Sequence, residues 1–405
     1  ESAGDEAHGG AGTDRVFVDT DLGALLDLTG WTSIERIDGS AGADGIDASG
    51  FTASVLIVAN GGDDTITGGS ANDVLFGNAG ADEVSGGGGN DVIVGGTGAD
   101  IMNGGLGDDV FFLDGSADVI TGGGVDGDGN VDRARFDNGV VGANLSLAGW
   151  SGLERLNATT GDDTIDAGTQ TLDMVINANA GADSVIGGSG DDFLYGAAGN
   201  DTLHGGAGGD IMFGNSGADL FYGDAGNDFF YIDDAGDRVV DGGADADRAV
   251  LTLAGLNITV DGTWAGLERI DAVAGAETID ATGYLESLTM IGNGGADQLT
   301  GGSAADVIFG NDGADVLHGG AGGNDNLFGG GADGFVDTFV FEDGAGTDRI
   351  QDWEDGVDLI DVTSLGGFAA VTSIGVNNGN TEVRIDDELI LLIGFTGTID
   401  GDDFV

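Results

Sequence analysis

Large apolar residues recur at every ninth position through three stretches of the chain. The first stretch, residues 59–112, contains six units with the pattern Gly-Gly-x-Gly-x-Asp-x-U-x, where U is a large apolar residue. Glycine permits the backbone conformations that a tight turn needs, and a three-residue segment with one inward side chain fits a short strand. One turn and strand bury little alone, whereas stacked units bury a continuous ladder of U residues. The pattern therefore predicts an all-β solenoid.

The second stretch, residues 178–231, again has six units, and the third begins at Gly292 and loses the strict period after Asp315. Sections between the stretches alternate apolar and polar residues without the glycine-rich turn. This alternation favours further solenoid rungs, and small separate lobes beside the solenoid are the alternative. The U positions of the first two stretches, predicted to face the core, are Ile66, Leu75, Val84, Ile93, Met102, Phe111, Val185, Leu194, Leu203, Met212, Phe221 and Phe230.

A longer repeat encloses these stretches. The sequence Trp-x-x-aliphatic-Glu-Arg-aliphatic occurs at residues 31–37, 150–156 and 264–270, and each copy leads into one nonapeptide stretch. The chain is thus predicted to contain three solenoid modules, residues 1–121, 122–241 and 242–350, followed by a C-terminal piece, residues 351–405. Adjacent Glu and Arg on a strand point to opposite faces, so these pairs are expected to form ion pairs between rungs rather than a catalytic site.

Composition excludes several classes of protein. The chain has 73 Asp and Glu, 10 Lys and Arg, and a formal charge of -63, with no Pro and no Cys. Such a polyanion has no footprint for nucleic acid or for an anionic membrane surface, and no disulfide or Cys-based metal site is possible. Its longest aliphatic run, residues 389–393, is too short to span a bilayer. The hydrophobic fraction of 40% argues against disorder, and the periodicity of Asp argues against a merely halophilic surface.

The repeated Asp predicts a metal ladder. Stacked carboxylates without counter-charge would repel strongly, whereas Ca²⁺ accepts six to eight oxygen ligands and combines carboxylates with backbone carbonyls. Two units make one coil, so each ion is expected between successive coils along one edge of the roll. The candidate calcium ligands are Asp64, Asp73, Asp82, Asp91, Asp100, Asp109, Asp183, Asp192, Asp201, Asp210, Asp219, Asp228, Asp297, Asp306, Asp315, Asp325 and Asp337.

These units resemble the RTX (Repeats-in-ToXin) calcium-binding nonapeptide. The resemblance implies a right-handed parallel β-roll or β-helix that folds when multiple Ca²⁺ ions bind. Residues 346–361 resemble the segment that closes RTX proteases, and the final Asp402-Asp403-Phe404-Val405 is similar to the end of type I secretion signals. Residues 351–405 are therefore expected to form a β-cap and a secretion signal, and the resemblance implies export through the type I ABC secretion machinery.

Three places depart from the family pattern. In the third stretch a glycine is missing before Asp306, and the spacing to Asp325 and Asp337 is ten and twelve residues instead of nine. Residues 126–137 resemble the front of an EF-hand loop, but Val131 stands where the turn glycine belongs. A solvated insertion is favoured there over a separate calcium site.

No catalytic motif is found: the chain has no His-Glu-x-x-His, no Gly-x-Ser-x-Gly and no Cys nucleophile. The leading hypothesis is a non-enzymatic, secreted calcium-binding protein of a bacterial cell surface that self-assembles into a surface layer, matrix or filament. It would associate end to end or laterally, because the N-terminal Gly9–Asp14 repeat has no visible polar cap. Cell-surface polysaccharide is a further candidate partner. The alternatives are the RTX region of a secreted protease, lipase or epimerase, or an adhesin.

Overall fold

The computed structural model describes residues 12–18, 25–28, 31, 33–115, 117–122, 131–136, 140–331, 334–344, 346–385 and 388–405. The chain divides into two compact units, residues 1–201 with 206–208, and residues 202–205 with 209–405. Each unit is built from short parallel strands, and the described residues include no α-helix. The predicted right-handed parallel β-roll is confirmed, while the three-module division stays a prediction.

The strands up to the division are β1 Arg15–Phe17, β2 Leu25–Asp27, β3 Arg36–Asp38, β4 Gly45–Asp47, β5 Leu56–Gly61, β6 Thr65–Thr67, β7 Val74–Ala79, β8 Glu83–Gly88, β9 Val92–Thr97, β10 Ile101–Leu106, β11 Val110–Leu113, β12 Val119–Thr121, β13 Arg133–Phe136, β14 Asn144–Ser146, β15 Arg155–Asn157, β16 Thr164–Asp166, β17 Val175–Asn177, β18 Ser184–Gly188, β19 Phe193–Ala198 and β20 Thr202–Ala207.

The later strands are β21 Ile211–Ser216, β22 Leu220–Ala225, β23 Phe229–Ile232, β24 Arg238–Asp241, β25 Arg248–Leu251, β26 Asn257–Thr259, β27 Arg269–Asp271, β28 Thr278–Asp280, β29 Thr289–Ile291, β30 Gln298–Thr300, β31 Val307–Phe309, β32 Val316–His318, β33 Asn326–Phe328, β34 Thr338–Val340, β35 Thr347–Ile350, β36 Leu359–Asp361, β37 Val371–Asn377, β38 Asn380–Ile385 and β39 Glu388–Leu392. Short 3₁₀ turns occupy Thr363–Leu365, Phe368–Ala370 and Gly401–Asp403.

Successive strands alternate between two sheets, so that each pair of strands completes one coil. In the first unit, β1 to β19 of odd number pair in parallel, and β2 to β12 of even number form the facing sheet. Within the nonapeptide stretch the register is 18 residues, and Leu75 on β7 lies beside Ile93 on β9. Strands of the sections between stretches join the same ladders, as Ile37 pairs with Ile57. Those sections are solenoid rungs rather than separate lobes.

The second unit repeats this arrangement. Strands β21 to β35 of odd number pair in parallel, and β26 to β36 of even number form a six-stranded facing sheet. The predicted U residues form its core ladder. Phe221 and Phe230 are fully buried, and their ring centroids are 5.8 Å apart. Every U residue predicted from the first two stretches has a relative exposure of 1% or less. The inward direction of these side chains is confirmed.

The C-terminal residues change the strand direction at one end of the second unit. Strand β39 pairs in parallel with β35, and β38 and β37 then add antiparallel strands. On the facing sheet, the Val405 N–H donates to the Ile360 carbonyl on β36 at 3.1 Å. Residues 371–405 therefore cover the last strands of both sheets, which removes two edges that would otherwise be open to pairing.

Candidate calcium sites

The predicted calcium ligands lie where each turn enters a strand, and all of them are buried. Their relative exposures lie between 0 and 2%, although aspartate is a residue that is almost never buried without a partner. The glycine-rich turns bring this about, because the backbone folds closely over the carboxylate. A row of buried carboxylates along the edge of the roll needs compensation by hydrogen bonds or by cations.

One oxygen of each ladder carboxylate accepts a backbone hydrogen bond from the preceding coil. The N–H of Asp64 donates to Oδ1 of Asp82 at 2.8 Å, and Asp82 N–H donates to Oδ1 of Asp100 at 2.8 Å. The same bond links Asp73 N–H to Asp91 and Asp91 N–H to Asp109, both at 2.7 Å. Each aspartate thus ties its own coil to the one before it through one of its two carboxylate oxygens.

The second oxygen, Oδ2, has no hydrogen-bond partner in many of these residues. It lies close to the glycine five residues earlier: a Cβ on Gly77 would be 2.2 Å from Asp82 Oδ2 and 2.6 Å from the carbonyl oxygen of Gly95. A buried carboxylate oxygen and a carbonyl oxygen therefore approach the same small region without a donor between them. The residues with such an oxygen include Asp64, Asp82, Asp91, Asp100, Asp109, Asp183 and Asp228.

A calcium ion fits this donor set. Ca²⁺ binds carboxylate and carbonyl oxygens in flexible geometry, and the turn glycine, which has no Cβ, lets these two kinds of oxygen approach each other. Among the residues that the structure describes, no group of three or more His, Asp or Glu side chains converges on one point. Backbone carbonyls would therefore supply most of the ligands, with one carboxylate oxygen from each aspartate.

Burial changes the acidity of these carboxyls. It raises the pKa of Asp91, Asp109 and Asp228 to about 7, although one backbone N–H on each group acts in the opposite direction. The carboxylates above and below raise the pKa of Asp109 further. Without a cation these groups hold a proton near neutral pH, so a bound Ca²⁺ replaces protons at the site.

Three of the predicted ligands differ from the others. Asp73 accepts hydrogen bonds from Val55 N–H at 2.8 Å on Oδ1 and from Gly69 N–H at 2.6 Å on Oδ2. Asp192 and Asp306 have the same arrangement, with two N–H donors at 2.7–2.8 Å. All three occupy the second nonapeptide of their stretch. Both oxygens are already compensated, so these residues are better suited to capping a turn than to binding an ion.

The irregular spacing of the third stretch does not displace its aspartates. Asp325 and Asp337 are buried, and their Oδ1 atoms accept the N–H of Asp306 at 2.8 Å and of Asp315 at 2.9 Å. The extra residues are absorbed in the turns, so both carboxylates keep their place in the ladder.

The structure adds ladder residues that the glycine pattern missed. Asp118 and Asp247 are buried, each has an Oδ2 without a hydrogen-bond partner, and their Oδ1 atoms accept the N–H of Asp100 and Asp228. Asp118 follows Asp109 by nine residues, so the period alone would have identified it. Asp132 also lies in the ladder, accepting Asp109 N–H at 2.7 Å. Of the EF-hand-like segment, residues 126–130 and 137 lie outside the described residues.

The repeated Glu of the Trp-containing motif has a related role that sequence reasoning also missed. Oε2 of Glu35, Glu154 and Glu268 accepts the backbone N–H of an aspartate one coil earlier, at 2.7–2.8 Å. The glutamate therefore takes the ladder position in rungs that lack the nonapeptide turn. The motif tryptophans are buried in the core, with exposures of 4–6%.

Comparison with protein families agrees with this geometry. The model of the RTX calcium-binding nonapeptide repeat matches residues 58–93, 94–128, 151–170, 175–203, 195–230, 204–239 and 291–324. The chain carries RTX calcium-binding nonapeptide repeats. The RTX repeats are calcium-binding motifs, so the protein binds multiple Ca²⁺ ions, and such repeats occur in secreted bacterial proteins.

No curated protein matches the chain significantly. Solved structures that match include the extracellular lipase LipA from Serratia marcescens, at 16% identity and a TM-score of 0.20. The match covers 58% of this chain and 45% of the lipase, so the RTX chain spans less than half of that enzyme. Among the described residues, no helix is long and apolar enough to cross a membrane.

Proposed function

We propose that the protein is a non-enzymatic structural component of a bacterial cell surface, and that calcium folds it after export. The observation that carries this proposal is the buried carboxylate ladder, in which one oxygen after another lacks a donor. At the low free calcium of the cytosol these carboxylates oppose folding, because burying an unpaired charge is costly. An extended polyanion without Pro or Cys suits passage through an ABC secretion channel.

Extracellular calcium would then complete each coil in turn. Because metal binding and folding are linked, the affinity of the sites contributes directly to the stability of the solenoid. Extracellular calcium modules bind at about 10⁻⁴–10⁻³ M, so the folded state would be reached outside the cell.

A lateral contact surface supports assembly into a layer, matrix or filament. Over the first three residues of β5, β7, β9 and β11 the outward side chains are apolar and partly exposed: Leu56, Val58, Val74, Phe76, Val92, Val94, Val110 and Phe112. The polar residues Asn60, Asn78 and Thr97 follow near the ends of the first three of these strands. The facing strands β6 and β8 instead carry Thr65, Thr67, Glu83 and Ser85 outward. The apolar strip on β5, β7, β9 and β11 is therefore the surface suited to contact a second copy. The end-to-end contact stays a prediction, since residues 1–11 lie outside the described chain.

The proposal is tested by circular dichroism and electron microscopy on the same samples. Chelator should abolish the β signal, calcium should restore it, and calcium-loaded samples should form ordered assemblies. Magnesium at equal concentration is the control, because it demands octahedral geometry and gives up its water reluctantly. A β spectrum that chelator leaves unchanged would contradict calcium-driven folding, and calcium-loaded protein that stays monomeric at high concentration would contradict assembly.

A further inference from the structure

Pairs of arginines recur on the outward face of the odd-numbered strands. Arg15 lies beside Arg36 on β1 and β3, Arg133 beside Arg155 on β13 and β15, and Arg248 beside Arg269 on β25 and β27. Strand neighbours in a sheet are about 4.8 Å apart, so each pair concentrates two positive charges. In a chain of formal charge -63 with 10 basic residues, this placement is selective.

Two of the pairs are neutralised by a carboxylate of the same chain. Asp38 accepts hydrogen bonds from Arg15 and from Arg36, whose Nη2 lies 2.7 Å from Oδ1. Asp271 binds Arg248 and Arg269 in the same way. Burial alone would raise the pKa of Asp38, but the two guanidinium groups lower it to about 2. One carboxylate held by two register-paired arginines is therefore the arrangement that this position favours.

The third pair lacks that carboxylate. The residue at the position of Asp38 and Asp271 is Asn157, which has the shape of aspartate without its charge. Arg133 and Arg155 are exposed, and the described residues offer neither of them an ion pair. Arg135 adds a third positive charge on the same strand face, with its guanidinium 4.0 Å from the Phe112 ring centroid.

We propose that Arg133, Arg135 and Arg155, the arginine triad, bind a carboxylate presented by a second copy of this chain. The inference rests on the proposed assembly and names its docking site. The carboxylate class follows from Asp38 and Asp271, which occupy the equivalent site in the other two pairs. A second copy is the favoured source, because its 73 acidic residues complement the triad. The apolar side chains of Val110 and Phe112 continue the triad along the sheet, as a protein surface would require.

The test is the substitution Asn157→Asp, which restores the internal carboxylate and leaves all three arginines in place. Calcium-loaded wild type should associate reversibly in sedimentation velocity, more weakly at higher salt. Asn157→Asp should weaken that association at least about tenfold, since the internal carboxylate competes for the arginines. Arg155→Gln, which removes one charge from the exposed face, should weaken it as well. Calcium-dependent circular dichroism of both variants should match wild type, because residues 155 and 157 are both exposed and their side chains lie outside the ladder.

The outcomes separate the docking site from the assembly itself. Association of Asn157→Asp with wild-type strength would overturn the triad as docking site and leave the proposed assembly intact. Absence of association in wild type would overturn the assembly, and with it the second copy as partner. Binding of a soluble polyuronate by wild type but not by Asn157→Asp, with self-association unchanged, would overturn the second copy in favour of an acidic polysaccharide.

Discussion

Two aspartates of the same nonapeptide stretch should respond differently to the same isosteric change. Asp109 and Asp73 are both buried, with exposures of 0% and 1%. Oδ2 of Asp109 has no hydrogen-bond partner, whereas Oδ2 of Asp73 accepts the Gly69 N–H at 2.6 Å. The substitutions Asp109→Asn and Asp73→Asn each remove one charge and keep the volume, so they separate a calcium ligand from a turn cap.

Asp109→Asn should weaken calcium binding and leave the stability of the calcium-free protein unchanged. The amide oxygen of the variant can still accept the Asp91 N–H, which lies 2.7 Å from Oδ1 in the wild type. The stability of the calcium-free protein should therefore not fall. The variant loses one charged ligand and should bind about one ion fewer, because each site depends on its carboxylate. Calcium-induced folding should need a higher calcium concentration, as followed by circular dichroism during titration.

Asp73→Asn should lower the free energy of unfolding of the calcium-loaded protein. Its amide nitrogen would face the Gly69 N–H, so a hydrogen bond to a charged group is lost and two donors oppose each other. Such a bond contributes about 1.5–3 kcal/mol, which urea unfolding in saturating calcium would measure. The number of bound ions, counted by equilibrium dialysis, should stay that of wild type. Loss of an ion in Asp73→Asn, or equal responses from both variants, would refute the distinction between the two carboxylates.

Three further predictions concern the same ladder and its core. Burial raises the pKa of Asp109 to about 7, above the value near 4 of an unfolded aspartate. Calcium-free protein should therefore be most stable below about pH 4 and lose β structure as the pH rises through about 7, and a flat circular dichroism profile in chelator would contradict this. Gly77→Ala places a Cβ 2.2 Å from Asp82 Oδ2 and should weaken calcium binding in titration calorimetry, while Gly88→Ala, whose nearest neighbour atom is 3.8 Å away, should not. Phe230→Ala removes a fully buried ring and should cost about 3–5 kcal/mol in urea unfolding; a loss below about 1 kcal/mol would place that ring outside the core.

The sequence alone was sufficient for the periodic part of the fold. Strand positions and inward residues follow from the nine-residue period, because each unit packs only on its neighbours. Leu75 and Phe221 are buried as predicted. The two classes of aspartate were not predicted. Asp73 follows Gly69-Ser-Ala-Asn and Asp82 follows Asn78-Ala-Gly-Ala, and the repeat pattern alone does not say which N–H groups reach Oδ2. Their difference arises from which backbone N–H groups the preceding residues direct at Oδ2.

Contacts between coils of irregular length were also beyond sequence reasoning. Arg15 reaches Asp38 across 23 residues, and Arg248 reaches Asp271 across 23. Such a partner depends on the number of residues that each turn absorbs, which the pattern does not give. Ion pairs between rungs were expected from the adjacent Glu and Arg, but Arg36 and Arg269 pair with the aspartate two residues further along their own strand. The ion pairs between rungs come from Arg15 and Arg248, which lie outside the motif. The glutamates instead accept backbone N–H groups.

The hydrogen bonds of the ladder all run in one direction along the chain. The N–H of Asp64 is satisfied by Asp82, that of Asp82 by Asp100, and that of Asp337 by Asp358. Each coil thus receives its capping oxygen from residues that come later in the sequence. Removing coils from the N-terminal side leaves the remaining carboxylate caps in place, whereas removing them from the C-terminal side leaves an aspartate N–H without its carboxylate. The strand N–H groups depend on the earlier coil instead, as Glu83 N–H donates to the Asp64 carbonyl at 2.8 Å. Within each unit the carboxylate caps therefore have a polarity that the backbone bonds between strands do not share.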